Sequence, residues 1–193
     1  MKTAAITTLL FLCGAPCWAQ KRAAIPPAQV AEEVRNYRLN NEDRIMRELT
    51  EFLAIPNVAS DTENIQKNAA HLVEMLEARG IETHLLPISG RGPVVFGKLN
   101  APDAKRTVIF YAHYDGQPVD PAAWTDGKPF EPVLRSDAIE AGGKRIPIPE
   151  KRPGAYNDNW RIYARSASDD KGAIVALLAA LDEIGRASCR ERV

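Results

Sequence analysis

Residues 108–115 read VIFYAHYD, an apolar run that ends in a histidine and an aspartate. The first four residues are apolar on both faces, which is typical of a central strand covered by helices. Two earlier apolar runs, residues 81–88 and 94–99, are bounded by Gly, Pro and Asn and also predict strands. We therefore expect residues 107–112 to form the innermost strand of a sheet.

Segments with helical periodicity lie before and after these predicted strands. Residues 28–54 and 62–79 predict amphipathic helices, the first ended by Pro56 and the second followed by Gly80. Residues 116–159 are rich in Pro, Gly and charged residues, and the only regular structure that they predict is a hairpin within 131–148. After this loop, residues 160–164 predict a strand, and residues 171–183 predict a strongly apolar helix. Helices that flank central strands predict an α/β domain of three layers (α/β/α), incomplete in this chain.

Composition excludes several classes of protein. The chain has 193 residues with 25 basic and 25 acidic side chains, so it lacks the basic excess of a nucleic-acid-binding protein. No apolar run reaches membrane-spanning length, so we expect no membrane span. Twelve glycines and 14 prolines are far fewer than a collagen or a flexible linker requires.

Both ends of the chain differ from the segment between them. Residues 1–19 have a lysine, an uncharged apolar run and small residues before Gln20, which is the pattern of a secretory signal peptide. The alternative is a buried N-terminal helix, which Gly14 and Pro16 would interrupt. We expect cleavage near Ala19 and a periplasmic or secreted protein, with residues 20–40 as an N-terminal extension that includes helix.

Residues 184–193 form a basic segment without an apolar pattern, and they resemble the translation of a sequencing-library adapter. We expect these ten residues to be an artefact and residues 1–183 to be the amino-terminal part of a longer protein. All three cysteines, Cys13, Cys17 and Cys189, lie in the two end segments. The remaining domain therefore has no thiol ligand or thiol nucleophile, and its chemistry must use nitrogen and oxygen groups.

His113 and Asp115 follow the predicted central strand, and ligands bind at the carboxyl ends of strands in open α/β sheets. A histidine can bind a metal through one ring nitrogen while a carboxylate holds the proton on the other. The alternative is a strand-end histidine that is merely capped by its neighbour.

A second polar segment, residues 166–172, reads SASDDKG and lies between the predicted strand at 160–164 and the last helix. One interpretation is a helix N-cap by Ser168 or Asp169, with Asp170 at the positive end of the helix dipole. The other is a metal site, because both polar segments follow strands and offer ligands suited to zinc. Phosphate binding at the helix start is disfavoured, since no Gly-rich loop precedes it.

The segments 111–119 (YAHYDGQPV) and 163–172 (YARSASDDKG), with Trp124, Pro129, Phe130 and Pro132 between them, resemble the amino-terminal catalytic half of the dizinc metallopeptidases. This family includes acetylornithine deacetylase, succinyl-diaminopimelate desuccinylase, glutamate carboxypeptidase and carnosinase. The resemblance covers residues 41–183, which it identifies as the first part of a catalytic domain.

The resemblance implies a role for each matched residue. His113 is matched to a zinc ligand, Asp115 to the carboxylate that orients His113, and Asp169 to the aspartate that bridges two zinc ions, for which cobalt or manganese could substitute. It also implies a cis peptide bond after Asp169 and assigns no metal to Asp170. Residues 164–166 (ARS) depart from the family's Gly-Arg-Gly, and the long loop at 135–159 favours the dipeptidase-like members.

The resemblance places other family features beyond residue 183, namely an adjacent Glu pair, further metal ligands and a dimerisation domain. The intact protein could therefore be a homodimer. The resemblance predicts an amide or peptide hydrolase that activates water with two zinc ions, acting on a small peptide or an N-acyl amino acid. We expect these 193 residues alone to bind metal weakly and to be inactive. The alternative is a metal-free, non-catalytic relative that serves as a binding module.

Overall fold

The computed structural model describes the backbone of residues 26–101, 104–150 and 156–190, and the side chains of these residues up to 183. The predicted signal peptide, residues 1–19, lies outside this part of the chain. Two α-helices, five short strands and a third α-helix follow one another along it: α1 Pro27–Ala54, α2 Thr62–Glu77, β1 Glu82–Leu86, β2 Val94–Lys98, β3 Val133–Arg135, β4 Arg145–Ile146, β5 Arg161–Tyr163 and α3 Lys171–Arg190.

Local sequence explains where the first two helices begin and end. Helix α1 starts with Pro27, whose fixed φ suits the first helical position, and it ends just before Pro56. Asp61 caps α2, because its carboxylate accepts a hydrogen bond from the backbone nitrogen of Asn64 at 3.2 Å. Gly80 follows α2 with φ +71°, the left-handed conformation that glycine adopts most readily. Both predicted helices are thus confirmed to within two residues at each end.

The core lies where the three helices meet. Its buried members come from the end of α1, one face of α2 and one face of α3, and they are Phe52, Leu72, Met75, Ile174, Val175 and Leu178. An ion-pair network borders this core, since Arg79 lies 2.9 Å from oxygens of both Glu48 in α1 and Asp182 in α3. The apolar helix predicted at 171–183 is therefore present, and one of its faces is buried in this core.

The strands form two antiparallel sheets. Strands β1 and β2 pair from Glu82 opposite Lys98 to Leu86 opposite Val94. Strands β4, β3 and β5 form the second sheet in that order, with Leu134 opposite both Ile146 and Ile162. The predicted hairpin within 131–148 and the predicted strand at 160–164 are present.

The predicted central strand is not. Residues 107–112 are not assigned to a strand, and Val108, Ile109, Phe110 and Tyr111 are 62–89% exposed. The prediction is wrong for the part of the chain that the structure describes, because a strand needs a neighbour that completes its hydrogen bonds and an element that covers its side chains. No described strand pairs with this segment, although Ala112 and Tyr114 at its end pack against the core.

Helix α3 also differs from the prediction, since its backbone continues to Arg190 rather than ending at residue 183. The tail at 184–190 contains alanine and arginine, which favour helix, and a helix tolerates a single glycine such as Gly185 at a cost of about 1 kcal/mol. Among the described residues, none of the helices combines the length and the apolar character needed to cross a lipid bilayer.

Candidate metal centre

The structure brings His113 and Asp169 together although 56 positions separate them. Nε2 of His113 lies 2.9 Å from Oδ1 of Asp169. The side chain of His113 is 38% exposed and that of Asp169 is 83% exposed, so solvent reaches the pair. The two residues that the sequence proposes as metal ligands therefore share one accessible site.

The other ring nitrogen of His113 faces Asp115. Nδ1 lies 3.0 Å from the main-chain carbonyl oxygen of Asp115 and 3.4 Å from its carboxylate oxygen Oδ1. Asp115 is thus placed to hold the imidazole, as the sequence suggests, but its carbonyl is nearer than its carboxylate. The carbonyl of Asp115 and the carboxylate of Asp169 raise the pKa of His113 above its ordinary value, against the effect of partial burial.

These contacts decide how the imidazole is protonated. A carbonyl oxygen can only accept, so Nδ1 must donate its hydrogen to Asp115. In the neutral ring Nε2 is then an acceptor, and it faces a carboxylate oxygen that is an acceptor too. A proton or a metal ion bound between these two atoms would offset their repulsion.

The loop from Ala164 to Asp170 places Asp169 beside the histidine. Ser166 has φ +63°, and the peptide bond between Asp169 and Asp170 is cis, as the family resemblance implies. The carbonyl of Asp170 accepts from the backbone nitrogen of Ile174 at 3.2 Å, so Asp170 is the residue that precedes the helix. The carboxylate of Asp169 contacts His113 instead of serving as the alternative N-cap.

Two residues of this site are not among the sequence predictions. Oδ2 of Asp170 accepts a hydrogen bond from the backbone nitrogen of His113 at 3.3 Å. Asn57, in the turn after α1, is completely buried and contacts both polar loops, by hydrogen bonds to the carbonyl of Tyr114 and the hydroxyl of Ser166. An aspartate at a helix start and an asparagine in a turn are both common, so neither carries a sequence signal.

Lys171 joins this region to α1. Its side chain is fully buried, and Nζ donates to the carbonyl oxygens of Phe52 and Ile55 at 2.7 and 2.8 Å. Burial lowers the pKa of Lys171 from 10.5 to about 7. Because the amine is already bonded within the protein, it does not face a ligand, which agrees with the sequence argument against phosphate binding here.

The donor atoms fit part of a zinc site. An imidazole nitrogen and a carboxylate oxygen are both ligands that zinc takes, and a second ring nitrogen held by a carbonyl is a common outer contact of such histidines. Among the described residues, however, no group of three or more His, Cys, Asp or Glu side chains could hold a metal ion. Zinc sites use at least three protein ligands, so His113 and Asp169 account for only part of one.

The chain is similar in sequence to several curated proteins. The chain is 29% identical over 150 residues to the Cys-Gly metallodipeptidase DUG1 of Candida albicans, covering 70% of this chain and 27% of the relative. It is 26% identical over 174 residues to the human Beta-Ala-His dipeptidase, covering 81% of this chain and 29% of the relative. The chain thus spans less than a third of the length of these relatives. No family model matches it.

Solved structures show the same likeness. The di-peptidase Dug1p of Saccharomyces cerevisiae matches with a TM-score of 0.61 at 18% identity, over 82% of this chain and 32% of that one. Human carnosine dipeptidase 1 matches with a TM-score of 0.62 at 19% identity, over 85% and 32%. These two matches show that the chain has part of the α/β fold of these peptidases.

A third structure is more similar in sequence. The M20 family metallo-carboxypeptidase Sso-CP2 of Sulfolobus solfataricus is 33% identical, with a TM-score of 0.53 over 71% of this chain and 26% of that chain. From these relatives we conclude that the chain belongs to the M20 metallopeptidases and resembles the dipeptidases among them.

Proposed function

We propose that this chain is the amino-terminal part of the catalytic domain of an exported two-zinc peptidase that cleaves dipeptides. The observation that carries the proposal is the contact between Nε2 of His113 and Oδ1 of Asp169 at 2.9 Å. Both atoms are acceptors once Nδ1 donates to Asp115, and both are open to solvent. A shared metal ion would satisfy them together, whereas a proton between them would make only an exposed ion pair of little worth.

Zinc supplies a Lewis acid that polarises an amide carbonyl and lowers the pKa of a bound water. The described residues would provide part of the zinc site. His113 offers Nε2 as a ligand, and Asp115 fixes which nitrogen carries the hydrogen. Asp169 offers a carboxylate that can reach two ions, and Asp170 holds the main chain at His113. The general base and the remaining ligands would lie beyond residue 183, so the segment alone would be inactive.

The substrate class follows from the relatives. Two of them are named for the dipeptides Cys-Gly and β-Ala-His, and a third is named a carboxypeptidase. We therefore place dipeptides first, ahead of longer peptides cut from the carboxyl end and of N-acyl amino acids. The predicted signal peptide puts the enzyme outside the cytoplasm, and N-terminal sequencing of the mature protein should begin at Gln20.

The test uses the complete gene product and the 193-residue chain side by side. Metal content is measured after purification, and hydrolysis is followed with Cys-Gly, β-Ala-His, a C-terminally blocked dipeptide and an N-acetyl amino acid. We expect the complete protein to hold two zinc ions per chain and to cleave free dipeptides, with activity lost on chelation and restored by zinc. Sedimentation of the same sample reports whether it is a homodimer.

A matched pair of histidine variants sharpens this test. His113→Ala should lower zinc affinity by more than about 100-fold, beyond the range for an outer contact. His84→Ala is the control, because Nε2 of His84 also lies near a carboxylate, that of Glu82 at 3.1 Å, without a second polar loop opposite. Absence of both zinc binding and hydrolysis in the complete protein would refute the proposal and favour the alternative of a metal-free, non-catalytic relative. Dipeptide hydrolysis by the 193-residue chain that needs His113 would contradict its proposed inactivity.

A further inference from the structure

Asn57 lies between two polar loops, residues 113–116 and residues 164–170. Among the described side chains outside these loops, it is the only one shown to bond to both of them. It has no exposed surface. Its Nδ2 donates to the carbonyl oxygen of Tyr114 at 2.8 Å and to the hydroxyl of Ser166 at 3.0 Å. Tyr114 sits between His113 and Asp115, and Ser166 begins the turn that leads to Asp169. The amide of Asn57 is therefore bonded to both of the loops that carry the proposed zinc ligands, His113 and Asp169.

The backbone around Asn57 adds a second attachment to the histidine loop. The carbonyl of Asn57 accepts from the nitrogen of Gly116 at 2.7 Å, and the carbonyl of Gly116 accepts from the nitrogen of Ala59 at 2.9 Å. Val58 and Gly116 thus form an isolated parallel bridge. These bonds fix the loop that follows His113 against the turn after α1, although the apolar segment before His113 has no strand partner among the described residues.

Gly116, Ser166 and Asn57 are closely packed against one another. A Cβ atom at Gly116 would lie 2.8 Å from the Ser166 hydroxyl and 3.1 Å from Oδ1 of Asn57. The hydroxyl of Ser166 in turn donates to Oδ1 of Asn57 at 3.3 Å while accepting from Nδ2. An aspartate at position 57 would put a second acceptor against the carbonyl of Tyr114, and a leucine would leave that carbonyl and the hydroxyl without their partner.

We infer that Asn57 is a positioning residue that sets the distance between His113 and Asp169 and thereby the zinc affinity, an inference that rests on the proposed zinc site. It touches neither proposed ligand side chain and acts only through the loops that carry them. Its loss should therefore weaken metal binding by about 10- to 100-fold, the range measured for outer contacts of metal ligands. The pair of loops would still be present, so some binding would remain.

The experiment compares variants of the complete gene product by zinc competition against a chromophoric chelator and by the visible spectrum of the cobalt-substituted protein. Asn57→Leu and Asn57→Asp remove the amide, and Ser166→Ala removes one hydroxyl from the same contacts in case the first two fold poorly. Arg79→Ala is the control: the side chain of Arg79 is only 8% exposed and pairs with Glu48 and Asp182, neither of which lies in or beside a polar loop.

We expect the Asn57 variants to lose about 10- to 100-fold in zinc affinity with an altered cobalt spectrum, Ser166→Ala to lose less, and Arg79→Ala to keep wild-type affinity despite lower stability. Wild-type affinity in Ser166→Ala and in the Asn57 variants would overturn the inference. An equal loss in Arg79→Ala would also overturn it, since general loosening would then explain the effect. Absence of zinc binding by the unmodified protein would instead refute the proposed function, and the inference with it.

Discussion

The substitution Gly172→Ala separates the effect of helix propensity from the effect of the loop that carries Asp169. Gly172 is the second residue of α3. On helix propensity alone, alanine should stabilise the protein by about 1 kcal/mol. A Cβ atom at this position, however, would overlap the main-chain carbonyl oxygen of Ala167. That oxygen belongs to the backbone and cannot rotate away as the end of a side chain can, so the loop itself would have to move.

The cost can be worked from the contacts of that loop. Overpacking a close-packed site costs about 1 to 3 kcal/mol. The hydrogen bond from the nitrogen of Lys171 to the carbonyl of Ser166, 3.1 Å long, spans the same turn, and its loss adds about 1 kcal/mol. After subtraction of the gain in helix propensity, Gly172→Ala should lower the free energy of unfolding by about 2 kcal/mol.

Urea unfolding of the metal-free protein, followed by circular dichroism and by tryptophan fluorescence, measures this change. Ala176→Gly is the control, because Ala176 is exposed on the same helix and should lose only about 1 kcal/mol from helix propensity. Zinc affinity should fall in Gly172→Ala, whose loop holds Asp169, and stay unchanged in Ala176→Gly. A Gly172→Ala protein that is more stable than the wild type by about 1 kcal/mol would refute the reasoning, because the Ala167 carbonyl would then not lie against the helix.

Three further predictions concern the rest of the molecule. Arg79→Ala should lower the free energy of unfolding by about 2 kcal/mol, because loss of this guanidinium leaves Glu48 and Asp182 with Arg44 as their shared partner. Lys67→Ala, which removes an exposed pair with Glu63, should cost under about 1 kcal/mol. Equal losses in urea unfolding would contradict this. The side chain and backbone of Asn64 hold the pKa of Asp61 below 3.8, so this cap should stabilise the protein above that pH and lose its effect as pH falls through the folded value. An unchanged acid unfolding profile in Asp61→Asn would speak against it. Zinc at about 100 times its dissociation constant should add about 2.7 kcal/mol to the stability of the complete protein, reversed by a chelator, and no thermal shift would argue against native-state binding.

Much of the fold could be predicted because local signals determine it. Pro56 and Gly80 mark the ends of α1 and α2, and short apolar runs bounded by Gly, Pro and Asn mark strands β1 and β2. The apolar segment 107–112 was misjudged because an apolar run indicates that a segment is suited to burial, whereas burial itself depends on partners elsewhere. In the described part of the chain those partners are lacking, and the segment is exposed.

Only some of the residues of the candidate site could be predicted from the sequence. The contact between His113 and Asp169 could be predicted because each residue belongs to a motif of the family that the sequence resembles. Asn57 and Asp170 could not, because their importance comes only from what the folded chain brings near them. A buried asparagine in a turn has the same sequence signature as an exposed one, and only the positions of Tyr114 and Ser166 reveal its bonds.

The end of α1 connects the helical core with this site. Phe52 is fully buried in the core, its carbonyl accepts from Nζ of Lys171, and its ring centroid lies 4.4 Å from the same nitrogen. Five residues later Asn57 bonds to both polar loops. A shift of this helix end would therefore move Lys171, at the start of α3, and the contacts of Asn57 at once. A core substitution at Phe52 should for this reason weaken zinc binding even though its side chain touches neither proposed ligand.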